Sequence, residues 1–130
     1  MSHYPYTVGA LLLALLVYSW AGFRVGKARS KFGVQAPAIH GDEAFERVFR
    51  AHQNTVEQLV MFLPLLAVAA WLWGDLYAAI YGLVWSLGRL LYVEGYARAA
   101  GKREIGFLLS GALSLLVLVA LLVTLALRHF

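Results

Sequence analysis

Two short polar patterns interrupt otherwise apolar sequence. Arg50, Asn54 and Glu57 follow i, i+4, i+7, and Arg89, Tyr92 and Tyr96 follow i, i+3, i+7. On an α-helix either spacing lines three side chains along one face. Charged groups within apolar spans are costly, so such faces turn to a bundle interior, a cavity or one another. Two arginines, an amide and two phenols form a donor-rich surface suited to a molecule that carries carboxylates. Glu57 can neutralise Arg89 as a structural ion pair, or meet the cation of a ligand. A purely structural reading pairs Glu57 with Arg89 and leaves the tyrosines in an interfacial aromatic belt.

The elements that carry these faces are read from hydropathy. Of 130 residues, 62% are hydrophobic and only 14% charged, with a mean hydropathy of +0.71. A soluble domain of this size needs more polar residues to cover its surface. The pattern predicts an all-α integral membrane protein, a four-transmembrane-helix bundle forming a single domain over residues 1–130. The first span covers 6–23, barely the roughly 20 apolar residues that crossing requires. Residues 24–42, with Gly33, Pro37 and Gly41, read as a loop. A second helix starts amphipathic near residue 43 and is wholly apolar from 59 to 73, with Pro64 inside it. Gly74-Asp75 makes a tight turn. The third helix runs from 76 to about 98 and the fourth over 105–127.

Antiparallel pairing of helices two and three about Gly74-Asp75 sets a register. Residues equally far from the turn lie at similar depth, which matches Glu57 with Arg89, Asn54 with Tyr92, and Arg50 with Tyr96. The register does not distinguish pairs within one subunit from pairs between two. His52 points about 200° around the helix from Arg50, as an ordinary interfacial histidine or toward a site shared with a neighbouring subunit.

Charge and composition exclude several functions. The excess of bases, 11 Lys and Arg over 7 Asp and Glu, lies beside apolar spans, which favours lipid headgroups or a small anion as partners over nucleic acid. Both basic connections fall on one side, so the positive-inside rule puts both termini outside the cytoplasm, in a bacterial inner membrane or an endoplasmic reticulum. The absence of cysteine removes disulfides, thiolate metal sites and a cysteine nucleophile. Any sulfur chemistry needs sulfur from the substrate. His3, His40 and His129 are scattered, so no metal site is expected.

The run Glu46-Arg47-Val48-Phe49-Arg50-Ala51-His52-Gln53-Asn54 with Glu57, then Gly88-Arg89, Tyr92, Gly95-Tyr96-Ala97-Arg98 and Arg103, resembles the MAPEG superfamily, membrane-associated proteins of eicosanoid and glutathione metabolism. The resemblance covers essentially the whole chain. It implies a homotrimer that binds glutathione at subunit interfaces. Arg50, Asn54, Glu57, Tyr92 and Tyr96 would hold the tripeptide, with Arg29 and His52 approaching from the neighbouring subunit. Arg103 matches the arginine that stabilises the glutathione thiolate, and is the catalytic candidate. The implied function is a membrane-bound glutathione transferase or glutathione-dependent peroxidase, with a hydrophobic electrophile or lipid hydroperoxide as second substrate. The alternative is a non-catalytic lipid-binding scaffold of the same family. Retention of both Arg50 and Arg103 favours catalysis.

Overall fold

Pro5 opens helix α1 (Pro5–Phe32) where a missing N–H costs nothing. The Asp75 carboxylate accepts from the Tyr6 and Thr7 amides at 3.1 and 2.7 Å, supplying from another element the cap that the chain lacks locally. In this computed structural model, which describes residues 3–130, four helices are long and apolar enough to cross a membrane. Helix α2 (Glu43–Trp73) begins with the Asp42 side chain accepting from Ala44 N and with Glu43 and Glu46 in its first turn, where the helix dipole favours acids. It runs unbroken through Pro64 to Gly74. Helix α3 (Asp75–Arg98) follows at once. Helix α4 (Ala100–His129) opens as a tight 3-10 turn and widens to a π-helical turn over Leu108–Ala112 before its long α-helical run.

The first helix is longer than its hydropathy predicts. The apolar run stops at Phe23, but arginine and lysine are good helix formers, and α1 continues to Phe32. Gly33, at φ 67°, then ends it in the left-handed conformation. The connection is therefore 33–42 rather than 24–42, and Arg24, Lys27 and Lys31 ride on a helix.

Helix α3 is the central element, packed on α1, α2 and α4. Phe62 stacks on Trp85 at 4.1 Å between ring centroids, and both are fully buried. At one end of the bundle Asp75 meets α1 and Arg128 donates to Leu72 O at 2.5 Å, so the start of α1 and the end of α4 flank the Gly74 turn. The other end holds both longer connections. All Lys and Arg except buried Arg89 and Arg128 belong to it.

Helices α3 and α4 meet backbone to backbone at that basic end. A Cβ on Gly106 would fall 2.2 Å from Tyr92 N, and one on Gly95 would fall 2.1 Å from Lys102 O. Glycine at both places lets the start of α4 lie against α3, as small residues do between membrane helices. The approach carries Arg103 to Tyr96 and Ser110 to Arg89.

Arg89 is fully buried, and the expected ion pair with Glu57 does not form. Its guanidinium donates to Thr55 Oγ1 from Nε (3.2 Å) and Nη2 (2.8 Å), to Ser110 Oγ at 3.1 Å and to Asn54 Oδ1 at 2.9 Å. Thr55 Oγ1 donates to Ala51 O and Ser110 Oγ to Gly106 O. Each hydroxyl proton is thus spent on its own helix, and the lone pairs face the cation. Equal depth is not equal azimuth: Glu57 lies about 200° around α2 from Thr55, so it faces elsewhere.

Four outcomes follow for stability, read by reversible unfolding in mixed detergent. Gly106→Ala should destabilise by about 1–3 kcal/mol or more, the usual range for overpacking. Gly9→Ala, where the added Cβ meets open space, should be neutral or gain up to about 1 kcal/mol. In double-mutant cycles Arg89→Met with Thr55→Val should couple by about 1–2 kcal/mol, whereas Arg89→Met with Glu57→Gln should add within about 0.5 kcal/mol. The reverse ranking of the two cycles would restore the Glu57–Arg89 pair.

Candidate functional site

The α2–α3 hairpin and the start of α4 enclose a cleft of about 540 Å³ at the basic end. Helix α2 supplies Arg50, Gln53, Asn54 and Glu57, α3 supplies Tyr92 and Tyr96, and α4 supplies Arg103 and Phe107. That volume lies within the range of small-molecule sites. Six of the candidates read from sequence are therefore together in one chain: Arg50, Asn54, Glu57, Tyr92, Tyr96 and Arg103.

The cleft wall is braced by a ladder of rings and cations. The Arg89 guanidinium lies 4.1 Å from the Tyr92 ring centroid, Tyr92 meets Tyr96 edge-on at 5.7 Å, and Arg103 lies 4.7 Å over Tyr96. Cation–ring contacts of this length are attractive, the more so out of water. They hold both phenol rings in place.

Arg89 also decides how Asn54 presents itself. Since Asn54 Oδ1 accepts from Arg89, the amide nitrogen is left to face the cleft with two N–H donors. The cleft charges are then Arg50 and Arg103, both exposed, against Glu57. Among the described residues Glu57 has no ion-pair partner, because the salt bridges are Arg24–Glu94 and His40–Glu46. Such a surface takes a small zwitterion richer in carboxylates than in ammonium groups.

Arg29 and His52 do not line this cleft. Arg29 donates to Ala38 O at 2.6 Å and lies 5.2 Å over the Phe45 ring, fastening the 33–42 connection. His52 stacks on Tyr18 at 5.4 Å beside Gly22. Both belong to a different flank of the same chain. Gln53 and Phe107 line the cleft without having been singled out, and Thr55 and Ser110 hold Arg89 in the same way. The available signals were the spacing of Phe107 from Arg103, one helical turn, and the hydroxyl of Ser110 in a strongly apolar helix.

The MAPEG family model matches residues 7–127. Over 107 residues the chain is 50% identical to the uncharacterized protein sll1147 of Synechocystis sp., covering 82% of this chain and 77% of that one. It is 46% identical over 112 residues to microsomal glutathione S-transferase 2 of Homo sapiens, covering 85% and 76%. It is 39% identical over 119 residues to leukotriene C4 synthase of Bos taurus, covering 92% and 79%. With a match over nearly the whole chain, and with four apolar helices of spanning length, this protein belongs to the MAPEG family of membrane proteins.

Proposed function

We propose that the chain is a membrane-bound glutathione transferase whose cleft holds glutathione as an activated thiolate. The observation that carries this reading is the charge inventory of the cleft. Glutathione brings two carboxylates, one ammonium and a thiol. Arg50 and Arg103, with the Asn54 amide and the two phenols, offer donors for the anionic parts, and Glu57, free of Arg89, offers an acceptor for the ammonium. The names of relatives at 46% and 39% identity, a glutathione S-transferase and leukotriene C4 synthase, support it.

Activation falls to Arg103. A free thiol has a pKa near about 8.5, so only a few per cent is thiolate at neutral pH. A permanent guanidinium beside the sulfur lowers that value, and each unit is worth about 1.4 kcal/mol. The thiol proton leaves to water. The sulfur lone pair forms a bond to the electrophilic carbon, and the leaving group departs with its electrons. With a hydroperoxide the same thiolate attacks the terminal oxygen and the O–O bond breaks, giving a sulfenic acid and an alkoxide that takes a proton from water to leave as the alcohol. A second glutathione converts that acid to the disulfide and water.

The assembly belongs to the proposal too. A homotrimer would bring Arg29 and His52 from a neighbouring subunit to the cleft, which fits their place on another flank of this chain. With both termini outside, the cleft opens toward the cytoplasm, the compartment rich in glutathione, while the second substrate arrives through lipid.

Arg50→Ala should weaken glutathione binding more than ten-fold in a titration of the folded protein, since a charge-assisted contact is worth roughly 1.5–3 kcal/mol. Unchanged affinity would remove Arg50 from the site. In Arg103→Leu the ultraviolet absorbance of bound thiolate should appear at higher pH by about one unit or more, with affinity little altered. If both proteins titrate together and turn over equally, the thiolate is stabilised elsewhere.

A further inference from the structure

Helix α1 carries a second stripe that the cleft does not use. Trp20, Arg24, Lys27 and Lys31 follow i, i+4, i+7, i+11 and share one face. They border a groove of about 640 Å³ closed by the start of α2 and by Glu94 and Ala97 of α3. No residue is shared between this groove and the cleft.

The cations in the groove are not equivalent. Arg24 is ion-paired with Glu94 and lies 5.5 Å over Trp20. Lys27 and Lys31 rest against rings of their own helix, Phe23 at 5.8 Å and Phe32 at 5.3 Å. Among the described residues neither lysine has a carboxylate within ion-pair distance. Two uncompensated charges therefore stand over an apolar floor of Ala28, Val48 and Ala97. The same face of α1 continues away from the basic end as Leu16 and Leu13, which are 67% and 38% exposed. Read along the helix, the stripe runs from aliphatic side chains through an indole to a lysine pair, the order of polarity along a bilayer lipid.

We propose that this groove seats an anionic phospholipid of the surrounding leaflet, its phosphate between Lys27 and Lys31 and its acyl chain along Leu16 and Leu13. The charge selects an anionic headgroup over a zwitterionic one, since a basic side chain at headgroup depth is worth about five-fold in affinity. The groove differs from loose surface attraction in having a fixed place for the chain, with Trp20 at the junction of head and tail.

Trp20 reports on its own site. The protein is placed in nanodiscs containing either brominated phosphatidylglycerol or brominated phosphatidylcholine. Its Trp20 signal is isolated by subtracting the fluorescence of the Trp20→Phe variant. Brominated phosphatidylglycerol should quench Trp20 at about 25-fold lower mole fraction, and Lys27→Gln with Lys31→Gln should remove the preference. Added inorganic phosphate should leave the quenching in place. Equal quenching by the two lipids, a preference that survives in the double variant, or displacement by inorganic phosphate would overturn the proposal. If the double variant does not fold, the single changes are read instead: each should narrow the preference about five-fold, and two unaltered singles would overturn it.

Discussion

A guanidinium sealed inside a helix bundle with no carboxylate beside it must be solvated by neutral dipoles. Moving an unpartnered ion out of water costs several kcal/mol even after relaxation. Around Arg89 that cost is offset by four hydrogen bonds to Thr55, Ser110 and Asn54 and by the face of Tyr92. Charge-assisted bonds of this kind contribute roughly 1.5–3 kcal/mol each. They arise from α2, α3 and α4 together, so Arg89 is satisfied only when the three helices are in register. The close approach at Gly95 and Gly106 is the steric half of the same constraint.

The constraint passes directly to the cleft. By occupying Asn54 Oδ1, Arg89 turns the amide donors outward, and by lying on the Tyr92 ring it fixes one end of the Tyr92–Tyr96–Arg103 ladder. It also leaves Glu57 without an internal cation, and so available to a ligand. A Glu57–Arg89 pair would have given a neutral, self-contained bundle. The observed arrangement instead leaves the cleft with separated charges of both signs, held on helices rather than loops, as positioning of a small zwitterion requires. The cleft lies at the basic end of the bundle, away from its exposed apolar faces.

Much of this was legible in the sequence because hydropathy and helical spacing report on faces. Four spans, the Gly74 turn and the matched depths of Arg50 with Tyr96 and Asn54 with Tyr92 all follow from counting residues. Azimuth does not. The register put Glu57 level with Arg89 but could not tell that the guanidinium turns toward Thr55. Ser110 was hidden for a related reason: one hydroxyl in an apolar helix is usually satisfied by its own backbone, and here it is, while its lone pairs serve Arg89. The end of α1 was misjudged because hydropathy marks where the bilayer core stops, not where the helix stops. Helix α1 carries its bases past that boundary to Gly33.

The central claim, that the cleft between α2, α3 and the start of α4 is a glutathione site, is tested most directly by a structure of the purified protein saturated with glutathione. The account requires the tripeptide in that cleft, a carboxylate beside Arg50, the ammonium toward Glu57, the sulfur beside Arg103, and Arg89 still bonded to Asn54. Glutathione elsewhere on the molecule, or a cleft left empty at saturation, would contradict it.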